Sequence, residues 1–148
     1  MKRYITIRGS LDMPAGQDSA STNASETTLK DLAPAVFRQR LLIEGFFDGE
    51  MTEDRIRTYL LQLAAALDLR TYGDPVIFQP TSGMGKEENA GFDAFVPLID
   101  SGISGYFWTG PGFFSILIYT CKGFEADKAI AQSRQLLGVQ GEIVAHSF

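Results

Sequence analysis

Residues 91–121, GFDAFVPLIDSGISGYFWTGPGFFSILIYTC, decide the fold. They contain three runs rich in aromatic and aliphatic residues, 91–99, 103–108 and 113–121. Turn-forming residues separate the runs: Asp100-Ser101-Gly102, then Thr109-Gly110-Pro111-Gly112. Connections this short can join only antiparallel neighbours, because a parallel pair needs a crossover of about a dozen residues or more. A three-stranded antiparallel meander is therefore the centre of the expected fold.

Further strands and two helices surround it. Upstream, 37–47 is dense in strand formers and stops at Asp48-Gly49, a turn pair. Thr52 precedes a helical pattern in which Ile56, Tyr59, Leu60, Leu63, Ala64 and Leu67 share one face. Thr52 is placed to cap its free N–H groups, Glu53 and Asp54 suit its first turn, and Gly73 is the expected exit. Residues 75–79 read as a short strand. A second helix spans 125–137, with Ala126, Ala129, Ile130, Ser133, Leu136 and Leu137 inward and Gly138 as its stop; 142–145 reads as a closing strand. Two helices cover one face of such a sheet, so the expected fold class is α+β, a two-layer sandwich of an antiparallel sheet with two helices on one face. The other face, rich in Phe and Ile, is expected to meet another subunit.

The N-terminal third is uneven. Residues 2–8 alternate as a short strand with Ile5 and Ile7 on one side, but 17–26 holds no large apolar side chain. Such a stretch cannot bury enough surface to offset an ordering entropy of about 1–2 kcal/mol per residue. Residues 1–36 are thus read as an extension, a short strand plus a flexible linker, and 37–148 as the folded domain.

Composition excludes several function classes. A net charge of −5, from 13 basic and 18 acidic side chains, speaks against nucleic acid as a partner, since phosphate neutralisation needs clustered Lys and Arg. No apolar run approaches the roughly 20 residues of a membrane span, and no apolar stretch follows the basic first residues as a secretory signal would require. A single cysteine, Cys121, rules out an intrachain disulfide, and with only His146 beside it no zinc constellation exists. The expectation is a soluble cytoplasmic domain with no metal and no membrane partner.

Few motifs suggest chemistry. Gly83-Met84-Gly85-Lys86 resembles a phosphate cradle, yet a P-loop needs an upstream Gly and a following Ser or Thr, and Glu87 follows here. A surface loop is the better reading. The lone His146 excludes a conventional Ser-His-Asp triad in the body of the domain. Glu44 stands in the apolar run Leu41-Leu42-Ile43-Glu44-Gly45-Phe46, where either sheet face is open to it. A carboxylate on a covered face needs a cation or donors, and such positions often serve function.

Taken together, Ser101, Trp108 and Thr120-Cys121 carry a resemblance. From Arg40 onward the chain resembles the pyruvoyl-dependent S-adenosylmethionine decarboxylases of the short bacterial and archaeal type. That family has an acidic residue and Ser closing a Gly-rich strand, a Trp seven residues later and a Thr-Cys pair ending twenty residues later; residues 91–101, Trp108 and Thr120-Cys121 fall in step without a gap. The resemblance implies autocatalytic cleavage between Asp100 and Ser101. Ser101 would become a self-generated pyruvoyl group, a ketone that takes the substrate amine as a Schiff base and draws electrons as carboxylate leaves. It implies Cys121 as the proton donor and Glu44, Phe46 and Trp108 as contacts of the substrate, S-adenosylmethionine. It also implies polyamine (spermidine) biosynthesis and a homo-oligomer, a dimer. Tyr106 occupies the position of the family's processing histidine, Asp100 replaces Glu, and Gly102 replaces a second histidine. A phenol of pKa about 10 cannot do imidazole work at neutral pH without a large shift. The other reading is therefore an uncleaved, non-enzymatic member of the fold that binds a small metabolite or mediates oligomerisation.

Overall fold

The structure is a computed structural model that describes residues 4–7, 30–80 and 84–148. Seven strands form one antiparallel sheet: β1 (Tyr4–Ile7), β2 (Gln39–Phe46), β3 (Val76–Phe78), β4 (Gly91–Leu98), β5 (Ser101–Trp108), β6 (Phe113–Thr120) and β7 (Ile143–Ser147). Their order across the sheet is β1-β7-β2-β6-β5-β4-β3. Helices α1 (Glu53–Ala66) and α2 (Ala126–Leu137) pack on one face. The fold is the two-layer α+β sandwich that the pattern predicts.

The meander β4-β5-β6 lies side by side, as its short turns require. One connection differs from expectation. The turn is Ile99-Asp100 alone, so that Leu98 pairs directly with Ser101, and Ser101 and Gly102 belong to β5. Asp100 closes it with a left-handed φ of 57°, a conformation that Asp tolerates better than most residues. The short N-terminal strand also differs from an independent extension: β1 pairs with β7 and completes the sheet edge. The linker 10–28 lies outside the described residues.

Alternation assigns the faces. Leu41 and Ile43 of β2, Ile103 and Phe107 of β5, and Phe114, Ile116 and Ile118 of β6 are buried beneath the helices. Helix α1 answers with Ile56, Tyr59, Leu60, Leu63 and Ala64, and α2 with Ala129, Ile130, Ser133 and Leu137. Thr52 caps α1 by accepting from the Arg55 N–H at 3.2 Å. Helix α1 ends earlier than Gly73: its exit is Leu67-Asp68, with Asp68 in the left-handed region at φ 56°. Gly138, at φ 67°, stops α2 as expected.

One buried polar pair joins the helices. The Tyr59 hydroxyl lies 2.8 Å from Ser133 Oγ, which itself donates to the Ala129 carbonyl at 2.9 Å. Because Ser133 spends its single hydrogen on Ala129, Tyr59 is the donor between the two. Burial pushes the Tyr59 phenol above its ordinary pKa, and the Ser133 bond offsets part of that rise. Ser133→Ala leaves a buried hydroxyl unsatisfied and is expected to destabilise by about 2 kcal/mol, whereas Tyr59→Phe leaves Ser133 paired and is expected to cost about 1 kcal/mol. Urea denaturation of both single variants and the double variant checks this; the double variant is expected to match Tyr59→Phe.

Candidate active site

Two places in the molecule collect the chemistry-bearing residues, and they lie on opposite faces of the sheet. The first is at the β4–β5 turn. Here the segment after α1 runs back along the end of β4: Ile99 N–H donates to the Arg70 carbonyl at 3.0 Å, Tyr72 N–H to the Pro97 carbonyl at 3.0 Å, and Thr71 bridges Leu98. The end of β6 closes the other side, since Ser101 pairs with Thr120. A cleft of about 170 Å³ results, lined by Asp68, Arg70, Asp100, Cys121 and Lys122 among others.

Its polar contacts are specific. The Cys121 N–H donates to Ser101 Oγ at 3.4 Å, and Cys121 itself is exposed with a free thiol. Lys122 Nζ donates to Asp68 Oδ2 at 2.7 Å and to the Asp68 carbonyl at 2.8 Å. The hydrogen bond and charge of Lys122 hold the Asp68 carboxyl below the usual carboxylate range. Thr120 Oγ1 bonds the Lys122 carbonyl, fixing the chain as it leaves β6. Asp68 and Asp100, the two non-glycine residues with positive φ among the described residues, both line this cleft. Such conformations are found where surrounding contacts enforce them, and they gather at functional turns.

The second place is the open face. Glu44, Phe46, Tyr106 and Trp108 all point there, away from the helices, with Glu44 and Tyr106 both flanking Ser115 in the register. Ser115 Oγ donates to Glu44 Oε1 at 2.8 Å. An aromatic row crosses the sheet beside them: Phe46 meets Phe113 edge-on at 5.5 Å, and Trp108 meets Phe113 at 5.4 Å. Near Trp108, Asn89 Oδ1 accepts from the indole Nε1 at 3.2 Å.

The structure therefore brings Ser101 and Cys121 together and sets Tyr106, Glu44, Phe46 and Trp108 elsewhere in the protomer. Ser101 and Tyr106 are five residues apart on one strand. An odd interval points them to opposite faces, about 16 Å apart along the strand. Sequence reasoning missed Asp68 and Lys122, which meet through the tertiary fold, and Asp93, which faces Tyr106 across the β4–β5 pair. The alternation 91–98 was the available signal for Asp93.

A seven-stranded antiparallel sheet with two helices on one face defines the class: the α+β sandwich fold of S-adenosylmethionine decarboxylase-like structures. Among solved structures, this chain is similar to the adenosylmethionine decarboxylase from Aquifex aeolicus VF5, with a TM-score of 0.57 at 17% identity, covering 76% of this chain and 89% of that one. At that identity the likeness is one of fold. No protein-family model matches the chain, and no curated protein matches it in sequence. Among the described residues no helix is long and apolar enough to cross a membrane.

Proposed function

We propose that the chain is a decarboxylating lyase of this fold, acting on S-adenosylmethionine or a related amino acid in polyamine synthesis, with a carbonyl group made from its own Ser101. The observation that carries the reading is the turn itself: the Ser101 hydroxyl adjoins the acyl carbon of Asp100, whose backbone is left-handed, and Cys121 sits beside it. These residues fit a self-generated pyruvoyl group in that Asp100 and Cys121 line one cleft and the Cys121 N–H reaches the Ser101 hydroxyl at 3.4 Å.

The balance of the processing step is simple. Ser101 Oγ attacks the Asp100 carbonyl carbon, the peptide C–N bond breaks and an ester forms. Loss of the Ser101 α-proton then expels the Asp100 carboxylate, and water replaces the nitrogen, which leaves as ammonia. Relief of the left-handed turn, about 1–2 kcal/mol, favours the first step. The Cys121 N–H holds Ser101 Oγ, and the Lys122–Asp68 pair braces the segment that follows Cys121. The finished ketone would serve as the electron sink for a substrate amine, and Cys121 is the candidate to return the proton. A free thiol suits a reducing compartment such as the cytoplasm.

A second reading rests on Tyr106 and on the open face. With Tyr106 facing away from Ser101, no phenol or imidazole of the expected set stands at the turn, and an uncleaved chain would act as a binding module. Denaturing mass spectrometry separates the two. Cleavage gives two fragments, the larger one blocked to Edman degradation, and Ser101→Ala abolishes them. A single species of 16.2 kDa overturns the lyase reading.

The partner we propose besides a small-molecule substrate is a second copy of the chain. Phe46, Val76, Phe78, Phe95, Tyr106, Tyr119 and Val144 leave the open face exposed and apolar, the kind of surface that marks an interface.

A further inference from the structure

Among the described residues the cleft at the β4–β5 turn is lined by two cations, and only one of them has a partner. Lys122 is committed to Asp68 by bonds of 2.7 and 2.8 Å. Arg70 is exposed, and its guanidinium makes no hydrogen bond or ion pair among the described residues. Building on the lyase reading, we propose that Arg70 supplies the counter-charge for the Asp100 carboxylate that leaves Ser101 during self-processing, and afterwards holds that new C-terminus.

The backbone fixes Arg70 beside the turn. Its carbonyl accepts from the Ile99 N–H at 3.0 Å, and the next residue, Thr71, bridges Leu98. Arg70 therefore runs alongside the residues that lead into Asp100, and its long side chain borders the same cleft as Asp100. Its charge is felt there. After the bond and charge of Lys122, Arg70 helps to hold the Asp68 carboxyl below its ordinary range.

The chemistry of the step makes a cation necessary. In the ester, Ser101 Oγ is bonded to the Asp100 carbonyl carbon and the Ser101 amine is free. Elimination moves the electrons of the Ser101 Cα–H bond into a Cα=Cβ bond, and water takes the proton. The Cβ–Oγ bond breaks with its electron pair on oxygen, so Oγ departs as part of the Asp100 α-carboxylate. The dehydroalanine left behind tautomerises to an imine, and water replaces its nitrogen, which leaves as ammonia.

Asp100 thereby gains a second negative charge beside its own side-chain carboxylate, which has no partner among the described residues. An aspartate sets those two charges one methylene closer than a glutamate would, and repulsion rises as charges approach. Asp68 brings a third carboxylate to the cleft, already answered by Lys122. The cation left to meet the departing group is Arg70. Its planar fork of donors suits two-point contact with a carboxylate.

Hydroxylamine reads this step directly. Added while freshly synthesised full-length chain is processing, it intercepts the ester. The products are a fragment ending in an Asp100 hydroxamate and a fragment that begins with Ser101 and is open to Edman degradation. Elimination gives the blocked fragment instead, so mass spectrometry measures how the ester divides between two fates. Arg70→Gln is expected to slow formation of the blocked fragment about 30-fold and to shift the division toward hydroxamate by a similar factor. Arg70→Lys, which keeps the charge, is expected to lose about fivefold or less. Because Arg70 is exposed, the thermal midpoints of both variants are expected within about 2 °C of the parent.

A merely structural role would leave the division of the ester unmoved. The proposal is overturned if Arg70→Gln processes at the parent rate, or processes more slowly with its ester divided as before. A parent chain that stays one species of 16.2 kDa with and without hydroxylamine overturns the lyase reading and this inference with it. A parent that cleaves while Arg70→Gln matches it overturns the inference alone.

Discussion

Gly91→Ala is expected to lower the thermal midpoint by about 10 °C or more, the largest effect of any single methyl group added to this domain. A Cβ at Gly91 would stand 1.7 Å from the Phe107 carbonyl oxygen, 2.8 Å from its carbon and 3.1 Å from Trp108 Cα. All three atoms belong to the backbone of the paired strand, so no rotamer change relieves the overlap. The β4–β5 ladder has to open at its first pair, Gly91 with Trp108, and the bond from Thr109 N–H to the Ala90 carbonyl goes with it. Overpacking against side chains costs about 1–3 kcal/mol, and immovable backbone places this case at about 3–5 kcal/mol. For a domain of this size each kcal/mol shifts the midpoint by about 2–4 °C. Gly73→Ala is the control. Nothing lies within 4 Å of a Cβ there, and the expected change is within about 0.5 kcal/mol. Differential scanning fluorimetry of the two variants beside the parent chain checks both statements.

That contrast shows where the sequence was readable. Helix α1 was legible from its start because capping and 3.6-residue spacing are local: Thr52, Ile56, Tyr59 and Leu63 lie where their pattern places them. Its end was not. Gly73 looked like the exit because glycine adopts the left-handed conformation freely, but Asp68 adopts it instead, held by Lys122 from a strand end 54 residues away. A non-local contact overrode a local propensity. The β4–β5 turn followed the same logic. Asp100-Ser101-Gly102 has turn composition, yet Asp100 alone supplies the left-handed residue and frees Ser101 for the ladder.

The shift of one turn boundary decides the site. With strand β5 beginning at Ser101, the parity of every residue along it is settled, and Tyr106 falls on the face opposite Ser101. Spacing in the sequence did locate Cys121, because twenty residues return a strand, turn and strand to the same end of the hairpin. It did not locate Asp68 or Lys122, whose meeting depends on how α1 packs over the sheet. The aromatic row Phe46-Phe113-Trp108 was similarly hidden: it is built across three strands, and only the register reveals it.

Phe95→Glu is expected to convert the proposed dimer to monomers in sedimentation velocity, weakening association by at least about 100-fold. The argument begins with area. Four eight-residue strands, β2, β6, β5 and β4, with shorter strands on either side, present an open face on the order of 700 Å², close to the roughly 800 Å² each partner contributes to a standard interface. Phe46 is 60% exposed at the end of β2 and Phe78 63% exposed on the edge strand β3, with Phe95, 44% exposed, midway along β4 and one strand in from that edge. The Phe95 ring lies against Gly102, where a Cβ would meet the ring at 2.7 Å, so the glycine forms a flat seat and the ring stands in a fixed position. A fixed, exposed aromatic is the kind of side chain in which binding energy concentrates. A glutamate there would be buried on association without a cation beside it. The face already carries Glu44 and Asp93 in one row with Ser115 and Tyr106, so a third carboxylate adds repulsion to desolvation. Within a monomer the same glutamate is solvated, and the helices and core lie on the other side of the sheet. The thermal midpoint measured at a protein concentration below the dissociation constant is therefore expected to stay within about 3 °C of the parent monomer. If Phe95→Glu sediments as the parent chain does, the open face is not where two copies meet.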